Sequence, residues 1–262
     1  MRALNQCVHN PWKTSFVGFG LALALVSAPV RPLFAAGPEL VVDRGLPQAN
    51  LNNSAGDYRS NIRWSLYDSG FLGDDFALGG AGESWVIDTI RVWTIPGVNG
   101  RDPGQLGDYY QDVRLYFGGA EGDLTPLVTG QLTAGASRSS NPHILISDAT
   151  AARGALYDDF GSNMRVWQID FTGLNLKVEG GAKYRFGAFG LGRDVPNKSG
   201  KTYAWFNAGA NAELAATRQD GADGKMLLFS SGGKFQSVFD GKGAGWDKSS
   251  DISVQVFAHR AE

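Results

Sequence analysis

The chain has 262 residues, with 24 basic and 26 acidic side chains, a formal net charge of −2 at pH 7 and one cysteine. This slightly acidic balance argues against a general nucleic-acid binder, because such a protein needs a basic surface to displace counterions from phosphate. The 36 glycines and the 11% of aromatic residues favour short strands joined by tight turns over a helical bundle. After residue 36, no apolar run reaches the about 20 residues that a membrane-spanning helix needs.

Residues 1–36 have the three parts of a secretory signal peptide. The positive start, the apolar core and the small residues for cleavage are, in order, Arg2 and Lys13, Val17–Val26, and Ala35 and Ala36. Cys7 precedes the apolar core, so it is not a lipoprotein cysteine and would be removed with the signal. Residues 37–262 would then form one β-sandwich domain without a thiol or a disulfide, held together by its core alone.

Cleavage after Ala35 or Ala36 is expected to leave a secreted or periplasmic protein that starts at Ala36 or Gly37. Intact mass spectrometry of the protein recovered outside the cytoplasm measures this start directly. A chain found there with Met1 and Cys7 still present would contradict the prediction.

Short segments in which apolar and polar residues alternate recur through the rest of the chain, about a dozen of them at intervals of about 10–20 residues. In chain order they are Leu40–Val42, Ile62–Leu66, Asp75–Leu78, Ser84–Ile95, Asp112–Phe117, Leu124–Leu132, His143–Ile146, Arg165–Phe171, Leu174–Val178, Lys183–Phe189, Thr202–Phe206, Met226–Phe229, Phe235–Phe239 and Asp251–Ala258. Helix signals are poor, and no fixed-period repeat is present. The pattern predicts an all-β fold, a single antiparallel β-sandwich of the jelly-roll type.

The segment Ser84–Ile95 is the strongest predicted strand, since it is rich in β-branched and aromatic residues. A strict two-residue alternation gives it two faces, with Trp85, Ile87, Arg91, Trp93 and Ile95 on one side and Val86, Asp88, Ile90 and Val92 on the other. Both faces are largely apolar, which predicts a central strand with some coverage on each side. Asp88 points inward in this arrangement unless a bulge turns it outward.

Five segments and one tryptophan carry a resemblance to a known group of proteins. They are Leu72–Leu78, Ile87–Trp93, Val113–Phe117, Tyr184–Phe186, Trp205 and Ile252–Phe257. In this order they resemble the exported bacterial jelly-roll domains often found ahead of a C-terminal PEP-CTERM sorting tail, in which a DDF-L strand precedes an I--I-VW strand and the closing strand reads D--VQVF. The likeness covers most of residues 60–258. It implies an exported jelly-roll fold without assigned catalytic residues, and the sorting tail of that group is absent from the sequence.

Signals for conventional catalysis are few. His143 and His259 are the histidines outside the predicted signal, too few for a histidine-based metal site, and no G-x-S-x-G motif occurs. Residues 200–202, Gly-Lys-Thr, lack the earlier glycine that a phosphate-binding loop requires. Asp88 and Asp170 both lie inside predicted strands, and a glycosidase needs only two carboxylates at about 5–10 Å. An enzyme that acts on extracellular polysaccharide is therefore the alternative to a binding protein.

The longest predicted loop, Pro96–Gln111, and the strand after it carry three carboxylates, Asp102, Asp108 and Asp112. Calcium binds about six to eight oxygens and tolerates irregular loops. These three residues are therefore the candidate ligands of a calcium ion, the one cofactor that the sequence suggests. No EF-hand spacing is present, and solvated acidic turns are the alternative.

Trp246 lies in a loop, Asp240–Ser250, that has no other apolar side chain larger than alanine. A ring that its neighbours cannot bury is suited to stack on the face of a sugar, while Asp247 beside it supplies a hydrogen bond to a hydroxyl. The further candidates for exposed ligand-binding rings are Trp205, Tyr109 and Tyr110. The alternative is that each ring folds back over a sheet edge as a lid.

The sequence thus predicts an exported, non-catalytic binding or surface-matrix module whose preferred ligand is an extracellular carbohydrate. A purely structural protein that self-associates through its edge strands is the third possibility. Neither nucleic acid nor a membrane span is expected among the interactions of residues 37–262.

Overall fold

The structure, a computed structural model, describes residues 37–46, 62–64, 69–97, 104–150, 165–210, 220–239 and 251–261. All of them belong to the unit Ala36–Glu262. Within these ranges, no helix is long and apolar enough to cross a membrane. The predicted signal peptide lies outside the described residues.

Fourteen strands and one short helix lie in the described part of the chain. They are β1 (Glu39–Arg44), β2 (Ile62–Trp64), β3 (Gly70–Ala77), β4 (Ser84–Gly97), α1 (Leu106–Tyr109), β5 (Asp112–Gly118), β6 (Thr125–Gln131), β7 (Ile144–Asp148), β8 (Trp167–Phe171), β9 (Leu176–Glu179), β10 (Lys183–Phe189), β11 (Ala204–Ala208), β12 (Met226–Ser230), β13 (Phe235–Phe239) and β14 (Val254–Arg260). Every predicted strand overlaps one of these, so the all-β prediction is confirmed. The strand β3 begins earlier than predicted because most of its residues are buried, and such a strand shows little alternation.

The strands form two antiparallel sheets. The eight-stranded sheet has the order β1-β14-β4-β11-β2, with β8 and β9 also paired to β4 and β7 paired to β8. The six-stranded sheet has the order β13-β12-β3-β10-β5-β6. Side chains of both sheets meet in one hydrophobic core, which makes the fold the β-sandwich that the strand pattern predicts.

Aromatic rings fill much of the main core. Phe71 on β3 is completely buried, and its ring centre lies 4.7 Å from that of Tyr116 and 5.6 Å from that of Phe229. Gly187 on β10 makes this packing possible, since a methyl group there would overlap the Phe71 ring. The glycine content therefore serves close packing of strands against rings as well as turns.

The central strand β4 has a bulge at Asp88. Its pairing with β14 slips by one residue between Ile87 and Thr89, so the side chains beyond Asp88 change faces. The main core holds Trp85, Ile87, Ile90 and Val92, and a second, smaller cluster holds Trp93 and Ile95. The prediction that this strand has some coverage on each side is confirmed. The predicted division of its residues between the two faces is wrong, because strict alternation does not allow for an inserted residue.

Candidate functional site

The structure buries three of the rings that were predicted to bind ligand. Trp205 and Tyr110 are 0% exposed and Tyr109 is 4% exposed. The Trp205 and Tyr110 rings lie 4.9 Å apart, and the Tyr110 hydroxyl donates a 2.8 Å hydrogen bond to the carbonyl of Ala204. The expected exposure of these rings is wrong, because α1 folds the long loop back onto the core and Trp205 lies inside β11.

The structure describes only some of the remaining residues predicted for a ligand or calcium site. Three of them lie outside the described ranges: Asp102, Trp246 and Asp247. Asp108 accepts 2.7 Å hydrogen bonds from the backbone N–H groups of Gln105 and Gly135. Asp112 is buried and pairs with the Arg114 guanidinium at 2.6 Å. The two carboxylates thus hold different local structures together. Among the residues that the structure describes, no group of three or more side chains is arranged to hold a metal ion.

Four polar side chains cross the outer face of the eight-stranded sheet, which is the face turned away from the main core. This polar row consists of Asp43 on β1, Gln255 on β14, Arg91 on β4 and Asp170 on β8, each a direct cross-strand neighbour of the next. Gln255 Nε2 donates to Asp43 Oδ1 at 2.9 Å, and Arg91 Nη1 donates to Gln255 Oε1 at 3.2 Å. Arg91 also donates to both carboxylate oxygens of Asp170, at 2.7 and 2.8 Å. The row is therefore one continuous chain of hydrogen bonds over four strands.

The polar row is held rigidly at its centre. The hydrogen bond with Asp170 raises the pKa of Arg91, so the guanidinium carries its charge at any physiological pH. Gln168 Nε2 supports the same carboxylate at 3.2 Å, and the Phe257 ring lies 5.1 Å from the Arg91 guanidinium carbon. Because these side chains hold one another in place on paired strands, the entropic cost of ordering them when a ligand binds is small.

The two carboxylates of the predicted catalytic pair have different surroundings. Both oxygens of Asp170 are engaged by Arg91. Asp88 is half-buried at the bulge, where its Oδ2 accepts a 2.6 Å hydrogen bond from the Thr89 hydroxyl. A carboxylate that is paired with a guanidinium through both oxygens is suited to positioning a neighbouring side chain or a ligand hydroxyl.

A cleft of about 380 Å³ opens beside β7 and is lined by Ser137–Pro142 and Ile144–Ile146. Within the described residues, β7 pairs only with β8, so the cleft lies at an edge of the eight-stranded sheet. Leu145, in its lining, is 54% exposed. Leu145 is also the direct cross-strand neighbour of Asp170, so the polar row leads to the cleft.

The polar rim of the cleft is fixed by bonds to the backbone. Ser139 Oγ accepts the N–H of Asn141, and Ser140 Oγ accepts the N–H of Gln131, both at 3.1 Å. Asn141 Nδ2 donates to the carbonyl of Thr129 at 3.1 Å. Neither serine hydroxyl donates to an acceptor among the described residues, so both O–H groups are available to a ligand.

A second polar cluster lies inside the sandwich around Arg44, which is 1% exposed. The guanidinium nitrogens lie 3.6 Å from Asp74, 3.5 Å from Asp220 and 3.8 Å from Asp251. Arg44 Nη2 donates to the carbonyl of Asp220 at 2.8 Å. Arg44 Nε and Nη1 have no hydrogen-bond partner in the described part of the chain. The cluster ties β1 to β3 and to the residues just before β12 and β14.

Burial governs the protonation of this cluster. It raises the pKa of Asp74 well above its ordinary value, and Arg44 opposes this rise. Burial likewise raises the pKa of Asp251 against the same guanidinium. Burial acts to lower the pKa of Arg44, but the surrounding carboxylates outweigh it and leave that pKa raised. The cluster is therefore a buried ion-pair network in which Arg44 is the shared counter-charge of the carboxylates.

Sequence reasoning missed both the polar row and the Arg44 cluster. A signal for the row is present, because Arg91, Asp170 and Gln255 each stand alone between apolar residues in the middle of a strand. A single polar residue in an otherwise apolar strand often marks the solvent-facing side of a central strand. No comparable signal identifies Arg44, whose partners come from three distant segments.

Comparison of the chain with known protein families, curated proteins and solved structures finds no match. A sandwich fold hosts many unrelated functions, so the fold alone does not assign one.

Proposed function

We propose that this protein is an exported, non-catalytic module that binds carbohydrate on the outer face of its eight-stranded sheet. The polar row from Asp43 to Asp170 is the observation that carries this proposal. It provides fixed polar groups that lead to an exposed apolar side chain, Leu145, and to a cleft. Oriented polar groups beside apolar surface are the general composition of a small-molecule site.

The chemistry of the row matches that of a sugar. A sugar hydroxyl both donates and accepts, and the row offers the donors of Arg91 together with the acceptors of Asp170 and the amide of Gln255. Hydrogen bonds to charged groups are about twice as strong as neutral ones, which favours this pairing. The apolar face of a pyranose ring has Leu145 to pack against.

We also propose the jelly-roll topology that the strand pattern predicts. Eight strands support it, and numbered one to eight in chain order they are β1, β3, β4, β5, β6, β8, β10 and β14. The eight-stranded sheet contains them in the order 1-8-3-6, and the six-stranded sheet in the order 2-7-4-5. This is the order that two interlocked Greek keys produce. The remaining strands are additions to that framework.

A glycan array followed by calorimetry on the purified protein tests the binding proposal. Gln255→Ala removes the amide at the centre of the polar row, and we expect it to raise the dissociation constant of the best array ligand about 3- to 10-fold. The melting temperature is expected to change little, because Gln255 is half-exposed.

The matched control is Gln236→Ala, which removes an exposed amide from β13 in the six-stranded sheet. It is expected to bind like the wild type. An array without any bound glycan, or equal affinities for Gln255→Ala and the wild type, would refute the proposal. Release of reducing ends from a bound glycan would instead support an enzyme that uses Asp88 or Asp170.

A further inference from the structure

The cleft beside β7 is distinguished by its charge. Among the described residues that line it, Arg138 is the one charged side chain and none is a carboxylate. The chain as a whole is slightly acidic, so the cleft is a local positive site on a protein of the opposite sign. Arg138 is exposed, and no ion pair to it occurs among the described residues. A guanidinium without a counter-charge among the described residues, beside a cavity, is suited to a ligand carboxylate that accepts hydrogen bonds from two of its three nitrogens.

The loop that carries Arg138 is already in place. Leu132 and Ser139 form a β-bridge, and Ser140 N–H donates to the carbonyl of Gln131 at 2.8 Å. The carbonyl of Arg138 itself accepts the N–H of Thr133 at 3.3 Å. The backbone of the loop therefore needs little ordering when a ligand enters, which lowers the entropic cost of binding.

The rest of the lining complements a single sugar ring. Ser139 and Ser140 offer hydroxyl groups on one side, while Pro142, Leu145 and Ile146 provide apolar surface. A volume of about 380 Å³ lies at the small end of the range for small-molecule pockets, about 300–1,000 Å³. A pyranose has the same division into a hydroxyl-bearing rim and an apolar C–H face.

We propose that this cleft is a subsite for a uronic-acid residue of an acidic polysaccharide, with the sugar carboxylate bound by Arg138. The inference rests on the proposed function and specifies its ligand class. The ring packs on Leu145, and its hydroxyls bond to the two serines. Since Leu145 neighbours Asp170, the next sugar of the chain reaches the polar row.

Calorimetry with two trisaccharides, one of galacturonic acid and one of glucose, tests this inference on the purified protein. The buffer contains about 150 mM NaCl, which screens long-range attraction between exposed charges. The wild type is expected to bind the acidic trisaccharide more tightly. Arg138→Ala is expected to weaken that binding by about tenfold or more, because a hydrogen-bonded charge is lost. Arg138→Lys keeps the charge but not the planar guanidinium, and its affinity for the acidic trisaccharide should lie between those of the wild type and Arg138→Ala.

The matched control is Arg260→Ala, which removes an exposed arginine at the end of β14 and is expected to bind like the wild type. Equal binding of both trisaccharides, or acidic binding that survives Arg138→Ala, would overturn the inference while leaving the proposed function standing. If neither trisaccharide binds and the glycan array is also empty, both proposals fail. Binding of the glucose trisaccharide alone would remove the acidic subsite only.

Discussion

Replacing Arg44 with methionine is expected to lower the free energy of unfolding by about 3–5 kcal/mol at pH 7, as when one partner of a buried ion pair is removed. The loss leaves Asp74 and Asp251 buried without their shared counter-charge. Urea denaturation followed by tryptophan fluorescence measures it. Arg44→Lys retains the charge but not the bond to the Asp220 carbonyl, and we expect a smaller loss.

The effect should depend on pH in a defined direction. Burial raises the folded pKa of Asp74, so its contribution to stability is complete below its unfolded pKa of about 3.9 and is lost as the pH rises through the folded value. Without Arg44, which lowers that pKa, the folded pKa rises further. The stability deficit of Arg44→Met should therefore be smaller at pH 4 than at pH 7.

An exposed arginine provides the control for this measurement. Arg260→Met removes a side chain that is 68% exposed, and we expect a change within about 0.5 kcal/mol. A deficit for Arg44→Met that is the same at both pH values would show that Arg44 acts through packing and not as a counter-charge.

Trp205→Ala is expected to cost about 3–5 kcal/mol of unfolding free energy, the range for removing a large buried aromatic side chain. The ring is completely buried, lies against Tyr110 and fits against Gly190, where an added methyl group would come within 2.6 Å of it. Its Nε1 donates a 2.9 Å hydrogen bond to Asn207 Oδ1. Calorimetric melting and urea titration both measure the loss.

Trp205→Phe separates the two contributions of this residue. It keeps most of the ring contact and loses the hydrogen bond to Asn207, so we expect a loss of about 1–3 kcal/mol, the cost of a buried polar group left unpaired. If Trp205→Ala instead melted like the wild type and lost glycan binding, the ring would be an exposed ligand contact after all.

The sequence by itself determined the fold class. Alternation along a strand depends only on neighbouring residues, because successive side chains of a strand point to opposite faces whatever the strand pairs with. For that reason all the predicted strands overlap observed ones, from β1 to β14. The apolar character of both faces of β4 likewise sufficed to predict that it is central and has some coverage on each side.

Tertiary structure alone decided which side chains are brought together on the outer face. The bulge at Asp88 is defined by the pairing of β4 with β14, which comes from the far end of the described chain, and it reassigned the residues beyond it. Trp205 and Tyr110 are buried because two segments distant in sequence meet. The Arg44 cluster depends on carboxylates from three other segments. The polar row depends on four strands whose order in the sheet differs from their order in the chain. Such sites arise from long-range pairing, and local periodicity contains no information about which strands become neighbours.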